Sequence, residues 1–222
     1  LILELNFAAI HADLDNYQEA MDKYCKNSFY FFCKKYEAYF PEQTVGQLEQ
    51  LPTAVDKLNY VCDLCQSLGL KIYLFIDEYD HFTNKILSDP SHLDKYRKET
   101  HGEGYIRKFY DVIKDGTNKS IERLFITGVS PVTMDDLTSG FNIGSNYSLD
   151  ENFNELTGFT EEEVRRMLEY YSSVEPYRHS VDELLEVMKP YYDNYCFAAG
   201  CYGETTMYNS NMVFYFLDKY KR

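Results

Sequence analysis

The sequence predicts an α/β fold: a parallel sheet covered by helices, followed by a small helical second domain. Three observations carry this. Short apolar runs rich in Ile, Leu and Phe at 1–7 (LILELNF), 71–76 (KIYLFI) and 121–127 (IERLFIT) read as buried strands. Long helical patterns separate them, and strands alternating with helical connections make parallel sheets covered on both faces. After Thr127 the chain turns to Gly, Ser, Asn and Asp, and beyond Thr160 it is mainly helical. The core is expected over 1–150 and the second domain over 151–222.

The elements follow in order. An aromatic-rich helical pattern runs from Leu14 to Phe40. A second, from Thr53 to Leu68, follows Pro52 and stops before Gly69, as helix punctuation requires. A third spans about Glu103 to Asp115 and is closed by Gly116. A brief strand is expected at Tyr147 to Leu149. Thr160 can cap the next helix, with Glu161, Glu162 and Glu163 at the positive end of its dipole and Val164, Met167, Leu168 and Tyr171 on one apolar face. Val181 to Met188 gives another helix, stopped by Pro190, and Ser210 to Tyr220 the last. The stretch around Pro90, with Lys95, Arg97 and Lys98 followed by Gly102 and Gly104, reads as a mobile, solvated connection.

Composition sets the function classes. The 222 residues include 22 basic and 36 acidic side chains, a net charge of −14, which disfavours a nucleic-acid surface on this chain. The excess lies late: residues 121–222 hold 8 basic against 17 acidic groups, residues 1–120 hold 14 against 19. With 45% apolar residues and no run near the ~20 that span a bilayer, a soluble, packed protein is expected, without membrane association. Six cysteines in a chain this long point to reduced thiols and a cytoplasmic setting. The 22 Tyr and 15 Phe, with no Trp, supply rings that bury one edge and hydrogen-bond at the other. Leu1 opens directly on a strand, so the sequence reads as a piece of something longer.

The chemistry-bearing stretch is Lys71-Ile72-Tyr73-Leu74-Phe75-Ile76-Asp77-Glu78-Tyr79-Asp80. A strand ending in consecutive carboxylates puts them at the carboxyl edge of a parallel sheet, where open α/β folds bind ligands. Asp77 can hold a hydrated Mg²⁺, since magnesium takes few protein carboxylates and keeps several waters. Glu78 is then free to orient and deprotonate an attacking water. The next strand ends in Thr127, followed by Gly128-Val129-Ser130. On an adjacent strand its hydroxyl would stand beside the two acids, able to sense a γ-phosphate or place the water.

The runs LFIDEYD, FITGVSPVTMDDLTSGFNI, NELTGFTEEEV and YDNYCF with MYNSNMV, in this order, resemble the AAA-ATPase-like family of bacterial proteins. There a P-loop NTPase core is commonly followed by a PD-(D/E)XK nuclease-like domain. The resemblance implies a three-layer P-loop NTPase-like sheet with a helical lid. It also implies Asp77 and Glu78 at the Walker B positions, Thr127 as the sensor on the following strand, and ATP with Mg as substrate and metal. Arg165 and Arg166, on the first helix of the second domain, are where such lids present a phosphate-sensing arginine. They equally suit ion pairs with Glu161, Glu162 and Glu169. Arg123 would serve as a finger in trans only in a ring assembly, and an oligomer is compatible with the family.

The departures from the family are as informative. A P-loop needs GxxxxGK[ST], with amides that cradle phosphates, a Lys for the β- and γ-phosphates and a hydroxyl for the metal. The 222 residues hold none, and Gly102-Glu103-Gly104 lacks the Lys. The expectation is a fragment that starts after the P-loop strand, binds ATP feebly alone, and leaves strand edges and an apolar face to be covered by something else. Any nucleic-acid role would come through the nuclease-like domain, and the alternative is a degenerate NTPase acting as a protein-interaction scaffold. His81-Phe82 stands where family members often have a basic residue and a proline.

Other candidates are weaker. Cys62 and Cys65 form a CxxC, with Cys196 and Cys201 downstream, but the first pair sits in a helical pattern where thiols three apart face a core. His11, His81, His92, His101 and His179 show no metal-ligand spacing, and only His81 lies near the acidic edge. The tyrosines at 191, 192, 195 and 208 read as ring packing with polar tips.

Overall fold

The first apolar run forms β1 (Ile2–Asn6) in a computed structural model that describes residues 1–10, 16–81, 84, 94, 104–129 and 143–220. The second and third form β2 (Ile72–Asp77) and β3 (Ile121–Ile126). All pair in parallel in the order β1-β2-β3, with β2 in the middle. Chain contacts divide the protein into two units, Leu1–Gly144 and Ser145–Arg222.

In the first unit, α1 (Tyr17–Lys35) buries Tyr17, Met21, Cys25 and Phe29 every fourth residue, the stripe a core-facing helix needs. A 3-10 turn at Glu37–Tyr39 follows, then a short helix that the sequence pattern does not announce, α2 (Thr44–Gln50). Helix α3 (Ala54–Ser67) starts where Thr53 accepts from the Asp56 amide at 3.1 Å. It ends in a Schellman closure: Leu70 N donates to Cys65 O at 2.8 Å and Gly69 N to Gln66 O at 3.1 Å, around Gly69 at φ +66°. Helix α4 (Tyr105–Thr117) runs past Gly116, so that glycine is a packing residue rather than a stop. A Cβ there would stand 2.6 Å from Ile121 Cδ1 and 3.1 Å from Cys62 Sγ.

Leu3, Leu5, Ile72, Leu74, Ile76 and Ile121 turn to one core shared with α1, α3 and α4. The opposite face is different. Ile2, Tyr73, Phe75 and Phe125 are 42%, 42%, 40% and 53% exposed, with the Phe75 and Phe125 rings 6.1 Å apart. Among the described residues the apolar runs therefore bury one face and leave the other open. Leu3, Leu5, Ile72, Leu74, Ile76 and Ile121 point in, and the rings, with Ile2, take the open side.

Strand β1 is an edge of this sheet, and two of its outward amides are met by side chains. Ile2 N donates to Tyr36 Oη at 3.0 Å, and Asn6 N to Tyr24 Oη at 2.6 Å. Two hydroxyls borne by α1 and its C-cap thus stand in for a neighbouring strand. Beneath them, Asp22 of α1 accepts from Ala54 N and from the Tyr105 hydroxyl, tying α1 to the starts of α3 and α4.

In the second unit, residues 147–149 form a turn and not the expected strand, with Asp150 N donating to Tyr147 O. Helix α5 (Glu161–Val174) carries a full capping box from Thr160 and Glu163, and α6 (Val181–Tyr192) another from Ser180 and Glu183. Pro190 lies inside α6 rather than ending it; Asp193 N still reaches Lys189 O, so the last turn closes without the proline's missing amide. A small hairpin, β4 (Asp193–Tyr195) and β5 (Met207–Tyr208), precedes α7 (Ser210–Lys219), which Asn209 caps. Val164, Leu168, Leu184, Leu185, Met188, Tyr208 and Val213 form a separate core. No described helix is long and apolar enough to cross a membrane.

Candidate functional site at the strand edge

Register decides what meets at the carboxyl ends of the strands. Asn6 is the partner of Asp77 across β1 and β2, and Thr127 follows directly on the Ile76–Ile126 pair, its amide donating to Ile76 O at 2.8 Å. Three polar side chains from three strands therefore lie side by side. The Asp77 carboxylate is held from both flanks: Asn6 Nδ2 donates to Oδ2 at 3.0 Å, Thr127 Oγ1 donates to Oδ1 at 2.5 Å, and the Glu78 amide donates to Oδ1 at 3.0 Å. Asn6 is itself fixed, because its Oδ1 accepts from Ala8 N at 2.9 Å. Asp77 is exposed, so its remaining lone pairs face solvent.

Glu78 has φ +54°, the one positive-φ residue other than glycine among those described. A Cβ-bearing residue in this region is disfavoured, and such outliers gather where function demands them. The chain beyond Glu78 folds back at once, with His81 N donating to Glu78 O and Tyr79 N to Thr127 O.

A family model described as a predicted AAA-ATPase, the AAA-ATPase-like family, matches residues 1–138. The chain belongs to the AAA-ATPase-like family. No curated protein matches it, and no solved structure does. In this AAA-ATPase-like chain the matched region holds β1, β2 and β3 and every residue of the strand edge.

The remaining expected site residues lie elsewhere. Arg165 and Arg166 belong to α5 in the second unit. Arg165 Nη1 is 2.6 Å from Asp182 Oδ1 at the start of α6, while Arg166 is exposed and acts electrostatically on Glu163. Arg123 donates to the Glu122 carbonyl. Cys62 and Cys65 lie on α3, buried, and burial pushes their thiols up to about 11 and about 12, as it does Cys33, up to about 11. His179 sits 3.9 Å from Glu183, exposed. His11, His92, His101, Pro90, Lys95, Arg97, Lys98, Gly102 and Glu103 lie outside the described residues.

Asn6 is the residue that sequence reasoning missed. Its only signal is a polar side chain closing a strand, and its meaning depends on the register that sets it against Asp77.

Proposed function

We propose that this strand edge is the metal-and-water side of an ATP-hydrolysing site. The observation that carries the reading is the Asp77 carboxylate, hydrogen-bonded from the strand on either side and followed by Glu78 in a left-handed conformation. An exposed carboxylate with oriented lone pairs fits the outer-sphere binding that magnesium prefers, so Asp77 is the residue that would hold the ion through its waters. When bound, the ion supplies neutralisation of charge on the phosphates.

Asp77 orients, and its own orientation comes from Asn6 and Thr127. Glu78 is the general base that takes the proton of the attacking water. A carboxylate only accepts, so in this arrangement the single hydroxyl proton of Thr127 is committed to Asp77. Thr127 therefore offers its lone pairs to water, and would sense a γ-phosphate only by exchanging Asp77 for it. Arg165 and Arg166 are proposed as phosphate-sensing groups; for Arg165 this requires it to leave Asp182.

The test is Glu78→Gln in the full-length protein. Hydrolysis should be abolished while nucleotide binding persists, and unchanged turnover would sink the assignment. Residues 1–222 alone should bind a fluorescent nucleotide feebly, because the sequence lacks GxxxxGK[ST]; micromolar affinity would contradict this.

A second reading, a degenerate NTPase serving as a protein-interaction scaffold, is favoured by exposed rings: Tyr191 at 76%, Tyr202 at 82%, and the Tyr73, Phe75 and Phe125 face. An encoded P-loop upstream together with Glu78-dependent turnover decides for the enzyme. A cytoplasmic, bacterial setting and a nuclease-like partner domain belong to the same proposal.

A further inference from the structure

Three residues past Asp77, Asp80 is fully buried. A carboxylate without water needs hydrogen bonds in its place. Asn84 Nδ2 donates to Oδ2 at 2.7 Å, and the Val129 amide is shared between Oδ1 at 3.2 Å and Oδ2 at 3.0 Å. The segment leaving β3 is gripped at each step. Thr127 O accepts from Tyr79 N at 3.1 Å, and Val129 N is taken by Asp80. Between them Gly128 lies so close that a Cβ would stand 2.4 Å from Tyr79 Cδ1 and Cε1 and 2.5 Å from Asp80 Oδ1.

This grip has a direction. The same Thr127 whose carbonyl is held by Tyr79, with the Val129 amide two residues on held by Asp80, gives its hydroxyl to Asp77. We propose that Asp80 is a positioning residue: its buried carboxylate, by holding the Val129 amide against Gly128, sets the chain after β3 so that Thr127 reaches Asp77. Its consequence for hydrolysis rests on the nucleotide reading above; its consequence for geometry does not.

The test compares Asp80→Ala, Asp80→Asn and Gly128→Ala by amide exchange on the full chain. Asp80→Ala removes the acceptor, and Gly128→Ala wedges the same contact from the other side. In both, the Val129 amide, which loses its charged acceptor, should exchange roughly ten-fold faster or more, and the Tyr79 amide, whose bond to Thr127 O loosens with the segment, should follow, while the amides of 73–76 and 122–126 stay protected. Asp80→Asn keeps one acceptor oxygen and should fall between wild type and Asp80→Ala. Unchanged exchange at Val129 and Tyr79 overturns the proposal, and so does uniform loss through the whole sheet, which would mark a residue of the fold at large. In the natural protein, Asp80→Ala should lower kcat for ATP about ten-fold or more while KM moves less than about three-fold. An unchanged kcat overturns the proposal. Absence of hydrolysis in the wild type overturns the nucleotide reading instead, and the exchange result still decides Asp80.

Discussion

The Thr127 hydroxyl donates to Asp77 Oδ1 at 2.5 Å, joining the end of β2 to the residue that follows β3, 50 positions on. With Asn6 on the other side, Asp77 cannot rotate without breaking a hydrogen bond. Thr127→Val keeps the shape and removes the donor. On the proposed reading of Asp77 as the residue that holds magnesium, it should reduce turnover by about ten- to a hundred-fold, the usual cost of losing a group that orients a metal ligand. Thr127→Ser should retain most of it. Steady-state hydrolysis across a magnesium titration checks both, and equal loss in the two variants would show that the hydroxyl is not what matters.

Glu78 separates stability from function. At φ +54° its Cβ costs about 1–2 kcal/mol that glycine would not. Glu78→Gly should therefore leave denaturant stability no lower, after the greater freedom of glycine in the unfolded chain is counted, and should abolish hydrolysis. A loss above about 2 kcal/mol would instead make Glu78 part of what holds the fold.

What was legible in the sequence follows from where the information resides. An apolar run ending in Asp77 and Glu78 states its own polarity switch, so the edge could be placed without coordinates. Thr160 with Glu163 states a cap in the spacing itself, and the capping box is present. Asn6 and Asp80 could not be read this way. Asn6 matters through register with Asp77, and Asp80 through an amide 49 positions on. Both relationships arise from long-range pairing, of which a local pattern carries no trace. Strands β4 and β5, three and two residues long, are too short to show a period, and Pro190 misled because the helix gives up one amide hydrogen bond there and still closes through Asp193 N on Lys189 O.

The two capping boxes predict an acid response in the second unit. Glu163 accepts from Thr160 N at 2.8 Å and Thr160 Oγ1 at 3.0 Å, and Glu183 does the same with Ser180. The backbone hydrogen bond, then the hydroxyl, holds each carboxyl below its ordinary value of 4.5. A folded value below the unfolded one means that the stabilisation is fully present above the ordinary value. It is lost as pH falls through that value toward the lowered one. Thermal melts followed by circular dichroism should thus drop between about pH 5 and pH 3. Glu163→Gln with Glu183→Gln should flatten that drop, and Thr160→Ala should cost ~1 kcal/mol at neutral pH. An acid slope identical in wild type and double variant would assign it to other carboxylates.

The Tyr24 and Tyr36 hydroxyls take the place of a neighbouring strand along β1. Tyr24 and Tyr36 accept from Asn6 N and Ile2 N, and their rings pack edge-on against Phe7 at 6.3 Å and Phe32 at 5.2 Å. Phenylalanine keeps those ring contacts and deletes only the acceptor. Each Tyr→Phe change should cost about 1 kcal/mol, and the double variant roughly the sum, because the hydroxyls serve amides four residues apart with no shared partner. Amide exchange should rise at Ile2 and Asn6 while β2 amides hold. An edge with two unanswered donors also offers itself to another chain, so the double variant should self-associate more readily in sedimentation than either single one. Unchanged exchange at both amides would show that water serves them equally well, and that the tyrosines are there for their rings alone.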